Sequence, residues 1–199
     1  RTSRFVVVLE GVRSSANQQM ILRTCEALGV DEVWLVPPPA GVRYRAAMRR
    51  SRHASRGAER FLSLRRVGAP LEVAARCREE GRELWVTHCP PQAQGAAAYR
   101  VGGDGAPLPP GDGDGEGLPC APLAPGFVPT PLPRLALVLG TEGDGVSAAM
   151  LRLASRGVFL PMHGFVQSLN VAVAGGMLLQ RLFDLCPDAR GDLSPAARA

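Results

Sequence analysis

The sequence predicts one α/β domain, in which a parallel sheet carries helices on both of its faces. Its short apolar runs are continuous rather than alternating, which is typical of strands buried on both sides. Helical patterns lie between these runs, as expected for alternating strands and helices. The length of 199 residues, 46% of them hydrophobic, suits a single domain with a substantial core.

Five strands and four helices are predicted. The strands are Phe5–Leu9, Val33–Val36, Leu84–Thr87, Leu135–Leu139 and Val158–Met162. The helices are Gln18–Leu28, Pro70–Glu80, Ala148–Ala154 and Leu169–Leu182. The first helix is expected to end at Gly29, since glycine commonly follows a helix. Ser147 is expected to cap the third.

The domain is predicted to span residues 1–186. Residues 101–130 are rich in Gly, Pro and Asp, a composition that cannot build a core, so a mobile loop is expected there. A loop of this length is unusual inside a compact domain and is interpreted as an insertion. Residues 187–199 are expected to be a flexible tail.

The cysteines and the apolar runs indicate in which cellular compartment the protein works. Five cysteines without a CxxC pair predict free thiols in a reducing, cytoplasmic compartment, and the scattered histidines predict no metal site. The longest apolar run, Leu169–Leu179, is too short to cross a bilayer, and no signal peptide opens the chain. The chain begins with Arg1 rather than Met, so we expect an excised or processed product, and an organelle remains an alternative.

The formal net charge is +5, and all 23 basic side chains are arginine, whose planar guanidinium suits phosphate. One segment is especially basic. Its nine arginines are Arg43, Arg45, Arg49, Arg50, Arg52, Arg56, Arg60, Arg65 and Arg66. The segment is either a solvated helix face with a linker or a phosphate-binding patch. We favour the patch, because so many like charges repel one another without an anion.

Three segments are candidates for chemistry. In the first, Asn17 precedes Arg23 by six residues, which places them on different helical faces and predicts Asn17 in the loop before the helix. Arg23 has apolar neighbours, and its alternatives are capping a carbonyl or pairing with Glu26. In the second, a strand enters a glycine-rich turn carrying Glu142, without either common phosphate-loop pattern, so an ordinary tight turn is the alternative.

The third segment, residues 159–174, runs from an apolar strand through Pro161 and Gly164 into a helix of small residues. Ser168 and Asn170 lie at the start of that helix, where unpaired N–H groups can bind a ligand. Taken alone, Ser168 is typical of an N-cap and Asn170 of a surface amide.

Together the three segments resemble the SpoU/TrmH branch of the SPOUT RNA methyltransferases. The first family motif is matched by Asn17, Arg23, Thr24, Gly29 and Val30, the second by Gly140, Glu142, Gly145 and Val146, and the third from Leu160 to Ala174. The resemblance implies a deep C-terminal trefoil knot, a pocket for S-adenosylmethionine formed by the knot loops, and a homodimer whose active sites draw on both subunits.

The resemblance also implies roles for particular residues. The catalytic centre would contain Asn17, Arg23, Glu142, Ser168 and Asn170. The cofactor would contact Thr87, Leu139, Gly140, Leu160, Met162, Ser168 and Leu169. RNA would contact Arg43, Arg45, Arg49, Arg50, Arg52, Arg56 and Arg60. Because a guanidinium rarely loses its proton, we expect Arg23 to stabilise the developing alkoxide or to act with a substrate phosphate.

The implied reaction is methylation of a ribose 2′-hydroxyl, foremost that of the D-loop guanosine of tRNA (position 18), with no metal and no membrane involved. Ribosomal RNA is the alternative substrate, and a catalytically silent knotted RNA-binding protein is the alternative class. A doubly wound nucleotide-binding domain is disfavoured, because Glu10–Ala16 holds a single glycine where a phosphate loop is expected.

Overall fold

The computed structural model describes residues 1–38, 56–89, 118–162, 164–166 and 168–193. Within them, seven parallel strands form one sheet in the order β3-β2-β1-β6-β4-β7-β5. They are β1 Thr2–Glu10, β2 Val30–Val36, β3 Ser63–Arg66, β4 Glu83–Thr87, β5 Cys120–Pro122, β6 Leu135–Leu139 and β7 Arg156–Phe159. Since all pairings are parallel, every strand ends at the same edge of the sheet, called the carboxyl edge below.

Helices cover both faces of this sheet, which confirms the predicted α/β class. They are α1 Ser15–Leu28, α2 Pro70–Glu79, α3 Ala148–Leu153 and α4 Val171–Leu185, with short 3-10 helices at Ala58–Phe61 and Pro187–Ala189. On one face, α1 and α4 pack around Phe5, and Phe183 meets its ring edge-on. On the other, α2 and α3 pack around Trp34 and Met150. The burial of these two apolar layers stabilises the sheet between them.

Two strands were not predicted. Strand β3 is largely exposed at one sheet edge, and two of its four residues are arginine, so it has no apolar run. Strand β5 lies inside the segment expected to be a mobile loop. That expectation is wrong for residues 118–130, where Cys120, Ala121 and Leu123 are buried beside β7. Proline is tolerated there because β5 is an edge strand. The rest of the insertion, residues 101–117, lies outside the described residues.

The tail prediction is wrong for residues 187–193, which pack against the start of β1. Ala189 and Leu193 are buried. Asp192 Oδ1 accepts a hydrogen bond from the Ser3 amide at 2.8 Å, and the Leu193 amide donates to the Arg1 carbonyl at 3.2 Å. Residues 194–199 lie outside the described part of the chain.

Two element boundaries differ from prediction where they shape the site. Helix α1 begins at Ser15, so Asn17 is helical rather than in the preceding loop. Strand β7 ends at Phe159, so Leu160–Met162 lie beyond the sheet at its carboxyl edge.

No helix among the described residues is long and apolar enough to span a membrane. The knotted path of the chain stays a prediction.

Candidate active site

The turn after β6 carries Glu142 and is closed by the backbone. The Thr141 amide donates to the Gly145 carbonyl at 2.8 Å, and the Gly145 amide donates back at 3.1 Å. Gly140 lies so close beneath this pair that a Cβ there would fall 2.2 Å from the carbonyl carbon of Gly145. The glycine pattern therefore produces a tight turn, called the Glu142 turn below, with Glu142 exposed at its tip.

A buried carboxylate holds the far end of the Glu142 turn. Glu10, the last residue of β1, is only 7% exposed. Its two oxygens accept hydrogen bonds from the Ser147 amide at 2.9 Å and the Ser147 hydroxyl at 2.6 Å. The same hydroxyl caps α3 by accepting from the Met150 amide at 3.2 Å, as predicted for Ser147. The turn is thus fixed at both ends.

Three predicted catalytic residues from distant parts of the sequence meet at the tip of this turn. Glu142 Oε1 accepts hydrogen bonds from Asn17 Nδ2 at 2.5 Å and from Asn170 Nδ2 at 2.6 Å. The two amides also contact each other, because Asn170 Nδ2 lies 3.2 Å from Asn17 Oδ1. Hydrogen bonds to a carboxylate are short and strong, so the cluster orients Glu142.

The start of α4 determines how Asn170 faces this cluster. Asn170 is the N-cap of α4, and its Oδ1 accepts from the Ala172 amide at 2.9 Å. With that oxygen bound to the helix, the Nδ2 group points toward Glu142. Asn170 is exposed, as the surface-amide alternative expects, but its amide is hydrogen-bonded to Glu142. The prediction of Ser168 as the N-cap is wrong. Ser168 is exposed beside the cavity described next.

A cavity of about 540 Å³ opens beside the cluster at the carboxyl ends of β4, β6 and β7. Glu142 and six of the seven residues predicted to bind cofactor line it. These six are Thr87, Gly140, Leu160, Met162, Ser168 and Leu169. The seventh, Leu139, is buried below the cavity, where its side chain packs toward Gly175 of α4. The structure thus brings the predicted pocket together around one opening, while the residues' roles stay predictions.

Several lining residues were missed, including His88, Cys89, Phe159 and Leu178. His88 and Cys89 directly follow β4, so their place at the carboxyl edge could have been inferred from the strand end. Burial raises the pKa of the Cys89 thiol, which keeps the thiol neutral near pH 7. The other two residues have no sequence signal beyond being apolar.

Arg23 is not part of the cluster within one chain. It lies on the exposed surface of α1, and the described residues provide it with no hydrogen bond or ion pair. The two alternatives for Arg23 therefore fail in this structure, since Glu26 pairs with Arg1 at 3.4 Å instead. Helical geometry explains the separation, because residues six apart lie about 120° apart around a helix.

The arginine-rich segment is only partly described. Arg43, Arg45, Arg49, Arg50 and Arg52 lie outside the described residues. Arg56 and Arg60 are exposed, whereas Arg65 forms an ion pair with Glu32 on the neighbouring strand. Among the residues described, no three His, Cys, Asp or Glu side chains group as metal ligands.

Comparison with known families assigns this architecture. A sequence model of the SpoU rRNA Methylase family matches residues 4–180. The chain belongs to the SpoU rRNA Methylase family. The match to this SpoU family covers the cluster, the Glu142 turn and the lining of the cavity, so the sequence resemblance to the SpoU/TrmH branch is confirmed.

Individual relatives of this SpoU chain differ in the RNA that they are named for. The tRNA (guanosine(18)-2′-O)-methyltransferase of Thermus thermophilus is 30% identical over 180 residues, 90% of this chain and 74% of that relative. The Escherichia coli enzyme of the same name is 25% identical, and the chain covers 62% of its length. The 23S rRNA (guanosine(2553)-2′-O)-methyltransferase of Bacillus subtilis is 26% identical, with 58% of its length covered. The chain thus spans about three fifths of the latter two.

Solved structures agree on the fold. The A. aeolicus TrmH/SpoU tRNA modifying enzyme superposes with a TM-score of 0.70 at 20% identity, covering 100% of this chain and 85% of that one. The methyltransferase AviRb of Streptomyces viridochromogenes, solved with the cofactor AdoMet, has a TM-score of 0.63 at 23% identity, covering 92% and 58%. Both likenesses support the SpoU α/β fold.

Proposed function

We propose that this chain transfers a methyl group from S-adenosylmethionine to a ribose 2′-hydroxyl of RNA, foremost guanosine 18 of tRNA. One observation carries the proposal: Asn17, Glu142 and Asn170 meet at 2.5 to 3.2 Å beside a cavity of about 540 Å³. Relatives that are 25 to 30% identical are named as RNA 2′-O-methyltransferases. The tRNA target is supported by the names of the T. thermophilus and E. coli relatives.

The cavity suits this cofactor in size and chemistry. Its volume lies within the range of about 300–1,000 Å³ usual for small-molecule sites. Leu160, Leu169 and Phe159 supply apolar walls for an adenine ring. Glu142 and Asp144 place two carboxylates at its rim, which attract a sulfonium cation. When bound, the cofactor would supply the electrophilic methyl group, and the lining residues would orient it toward the attacking oxygen.

The cluster positions groups rather than removing a proton by itself. Asn17 and Asn170 hold the Glu142 carboxylate, which accepts a hydrogen bond from a sugar hydroxyl and so orients the ribose. The guanidinium of Arg23 stabilises the developing 2′-alkoxide, and the hydroxyl proton passes to a phosphate oxygen of the substrate. Since Arg23 lies away from the cluster of its own chain, we propose that it serves the active site of a second copy.

An apolar surface beside Arg23 supports such a homodimer. Met20 on α1 is 46% exposed, and Val173 and Met177 on α4 are 47% and 48% exposed. These side chains form one surface, because α1 and α4 pack against each other. Met20 is one helical turn from Arg23. If two copies associate through this surface, Arg23 of one copy therefore lies next to the other copy. Sedimentation of the Val173→Glu chain tests the dimer: a monomer is expected, and an unchanged dimer contradicts this surface.

Methylation of ribosomal RNA is the second candidate, supported by the B. subtilis relative named for 23S rRNA. Incubation with tritiated S-adenosylmethionine and total RNA, followed by mapping of the labelled ribose, separates the two. Label at guanosine 18 of tRNA is expected. Label in ribosomal RNA alone favours the second candidate. Cofactor binding without any label identifies a silent RNA-binding protein and contradicts the proposal.

We also propose that the protein works in a reducing, cytoplasmic compartment. All five cysteines are free, and four of them are buried. Fluorescence microscopy of the tagged protein in its source cells tests this, and an organellar signal contradicts it.

A further inference from the structure

A second cavity lies on the opposite side of the Glu142 turn. Its volume is about 640 Å³, and it opens at the carboxyl ends of β1, β2 and β3. Its lining includes Glu10, Arg13, Pro37, Pro38, Pro70 and Ala149. This space is called the proline cavity below, and apart from the Glu142 turn its lining lies outside the motifs used to propose the methyl-transfer site.

The proline cavity is connected to the proposed active site. Thr141, Asp144 and Gly145 of the Glu142 turn line both the proline cavity and the cofactor cavity. A smaller cavity of about 210 Å³ lies between them, lined by Arg13 on one side and Glu142 on the other. An RNA chain that presents its ribose to Glu142 is therefore within reach of the mouth of the proline cavity.

The walls of this cavity suit a flat ring. Three prolines give rigid apolar surfaces that lose little conformational freedom when a ring packs against them. Ala149 leaves open space beside those surfaces, since it carries no long side chain. These features favour a planar, weakly polar ligand over an extended peptide.

The charges of the cavity favour a base over a phosphate. Glu10 is buried at its floor, and although Ser147 binds both oxygens, each carboxylate oxygen can accept a second hydrogen bond. Asp144 adds a second negative group. Two carboxylates repel a phosphate and accept from base N–H groups. Arg13, half-exposed at the rim and 3.6 Å from Asp144, is placed to bind the neighbouring phosphate.

We propose that the proline cavity binds a nucleobase of the substrate RNA that flanks the methylated nucleotide. This inference rests on the proposed function in one respect, since it takes the ligand to be RNA. Glu10 accepts from an N–H group of the base, Pro37, Pro38 and Pro70 pack against its faces, and Arg13 contacts its phosphate. The cavity thereby aligns the ribose at Glu142.

The test uses a bulky side chain to fill the proline cavity without changing a residue of the cofactor cavity. Ala149 and Ala148 are adjacent exposed residues in the first turn of α3, but only Ala149 lines the cavity. Ala149→Phe and the matched control Ala148→Phe are titrated with a fluorescein-labelled tRNA transcript in the presence of S-adenosylhomocysteine. We expect Ala149→Phe to weaken RNA binding about tenfold, or about 1.4 kcal/mol, which is within the range for one stacked base. Ala148→Phe should stay within about twofold of wild type.

Salt dependence separates the base from the phosphate. Arg13→Ala should lower the slope of log Kd against log salt concentration by about 1, the amount expected for one lost phosphate contact. Ala149→Phe should leave that slope unchanged. If Ala149→Phe fails to fold, Ala69→Phe, also in the cavity lining, replaces it, with the exposed Leu71→Phe as control.

The possible results separate the proline-cavity proposal from the proposed methyl transfer. Equal RNA affinity for the two phenylalanine variants overturns the proline cavity and leaves the proposed methyl transfer standing. A tenfold loss in a protein that transfers no methyl group supports the cavity and contradicts the proposed function. A chain that binds no RNA contradicts both.

Discussion

The two cavities at the carboxyl edge share one wall and differ in how the sequence produces them. The cofactor cavity is lined by motif residues such as Gly140, Leu160 and Ser168. Apart from the shared Glu142 turn and the start of α3, the proline cavity is lined by residues of ordinary loops after β1, β2 and β3. A recognisable sequence motif therefore marks the cavity that depends on particular side chains. No motif of its own marks the cavity whose lining need only have a suitable shape.

The Glu142 turn, which is the wall shared by the two cavities, has a base and a tip with different contacts. The Glu142 turn is held on the proline-cavity side by Glu10 and Ser147, and its tip faces Asn17 and Asn170. Substitutions at the tip should therefore change catalysis alone, whereas substitutions at the base of the turn should change both cavities. The following predictions test that division.

Arg23→Ala should have the largest effect. We expect methyl transfer to fall by about 10³-fold, because the alkoxide loses its cationic donor. S-adenosylmethionine affinity should be nearly unchanged, since Arg23 is not among the lining residues of the cofactor cavity. Tritium transfer and calorimetry measure the two quantities, and Arg152→Ala, an exposed arginine on α3, is the control. Unchanged turnover in Arg23→Ala would rule out its assigned role.

Gly140→Ala should disrupt both cavities at once. The added Cβ would meet the backbone of Gly145 at 2.2 Å, and backbone cannot move aside cheaply. We expect a loss of about 3 kcal/mol in the free energy of unfolding, comparable to a severe steric change in a core. Gly143→Ala in the same turn, where nothing lies within 4 Å, should cost far less. Thermal unfolding of both variants decides the matter, and equal melting temperatures would contradict the turn geometry.

Asn170→Asp should affect the tip alone. Aspartate keeps the oxygen that caps α4 but loses the amide that donates to Glu142 at 2.6 Å. Two carboxylates then face each other, which raises the pKa of one of them. We expect methyl transfer to drop about tenfold to a hundredfold near pH 7, as a charged hydrogen bond worth about 1.5–3 kcal/mol is lost. The activity of the variant relative to wild type should recover as pH falls and a proton bridges the pair, and a flat pH profile of that ratio would count against this account.

Ser147→Ala should weaken the base of the turn. The substitution removes the hydroxyl that binds Glu10 at 2.6 Å and caps α3. The expected cost is about 1–2 kcal/mol in the free energy of unfolding, the usual range for a lost cap and a buried acceptor. Urea unfolding measures it, with the exposed Ser63→Ala as control. If RNA affinity and cofactor affinity both stay at wild-type values, the Ser147 contacts do not hold the wall that the two cavities share.

Two glycines of α4 should give the smallest and opposite effects. A Cβ at Gly176 would make an ordinary 3.5 Å contact with Thr24, so Gly176→Ala should stabilise α4 by up to about 1 kcal/mol. A Cβ at Gly175 would fall 2.8 Å from Leu139 beneath the cofactor cavity, so Gly175→Ala should lose that gain or destabilise the chain. Melting temperatures in the reverse order would show that α4 packs differently.

Sequence reasoning anticipated the β6 strand and the Ser147 cap, because periodicity and capping chemistry have local signals. The convergence of Asn17, Glu142 and Asn170 was implied by the family resemblance alone. Sequence reasoning missed β3 and β5, whose pairing depends on neighbours distant in sequence rather than on their own composition. It placed Asn17 in a loop and chose Ser168 rather than Asn170 as the N-cap of α4. The first residue of a helix depends on which side chain accepts a hydrogen bond from the first turn, and the sequence offered more than one candidate. Neither the proline cavity nor the Glu10 contact has a local signal.

The contact between Leu193 and Arg1 has a practical consequence. Both lie where β1 begins, and nine residues of strand, about 30 Å, separate that point from the end carrying the two cavities. A biotin or dye attached to the first residue would thus project from the opposite pole of the molecule. Immobilised in that orientation, the protein would present its open face to a flowing transcript, which makes surface-based kinetics feasible.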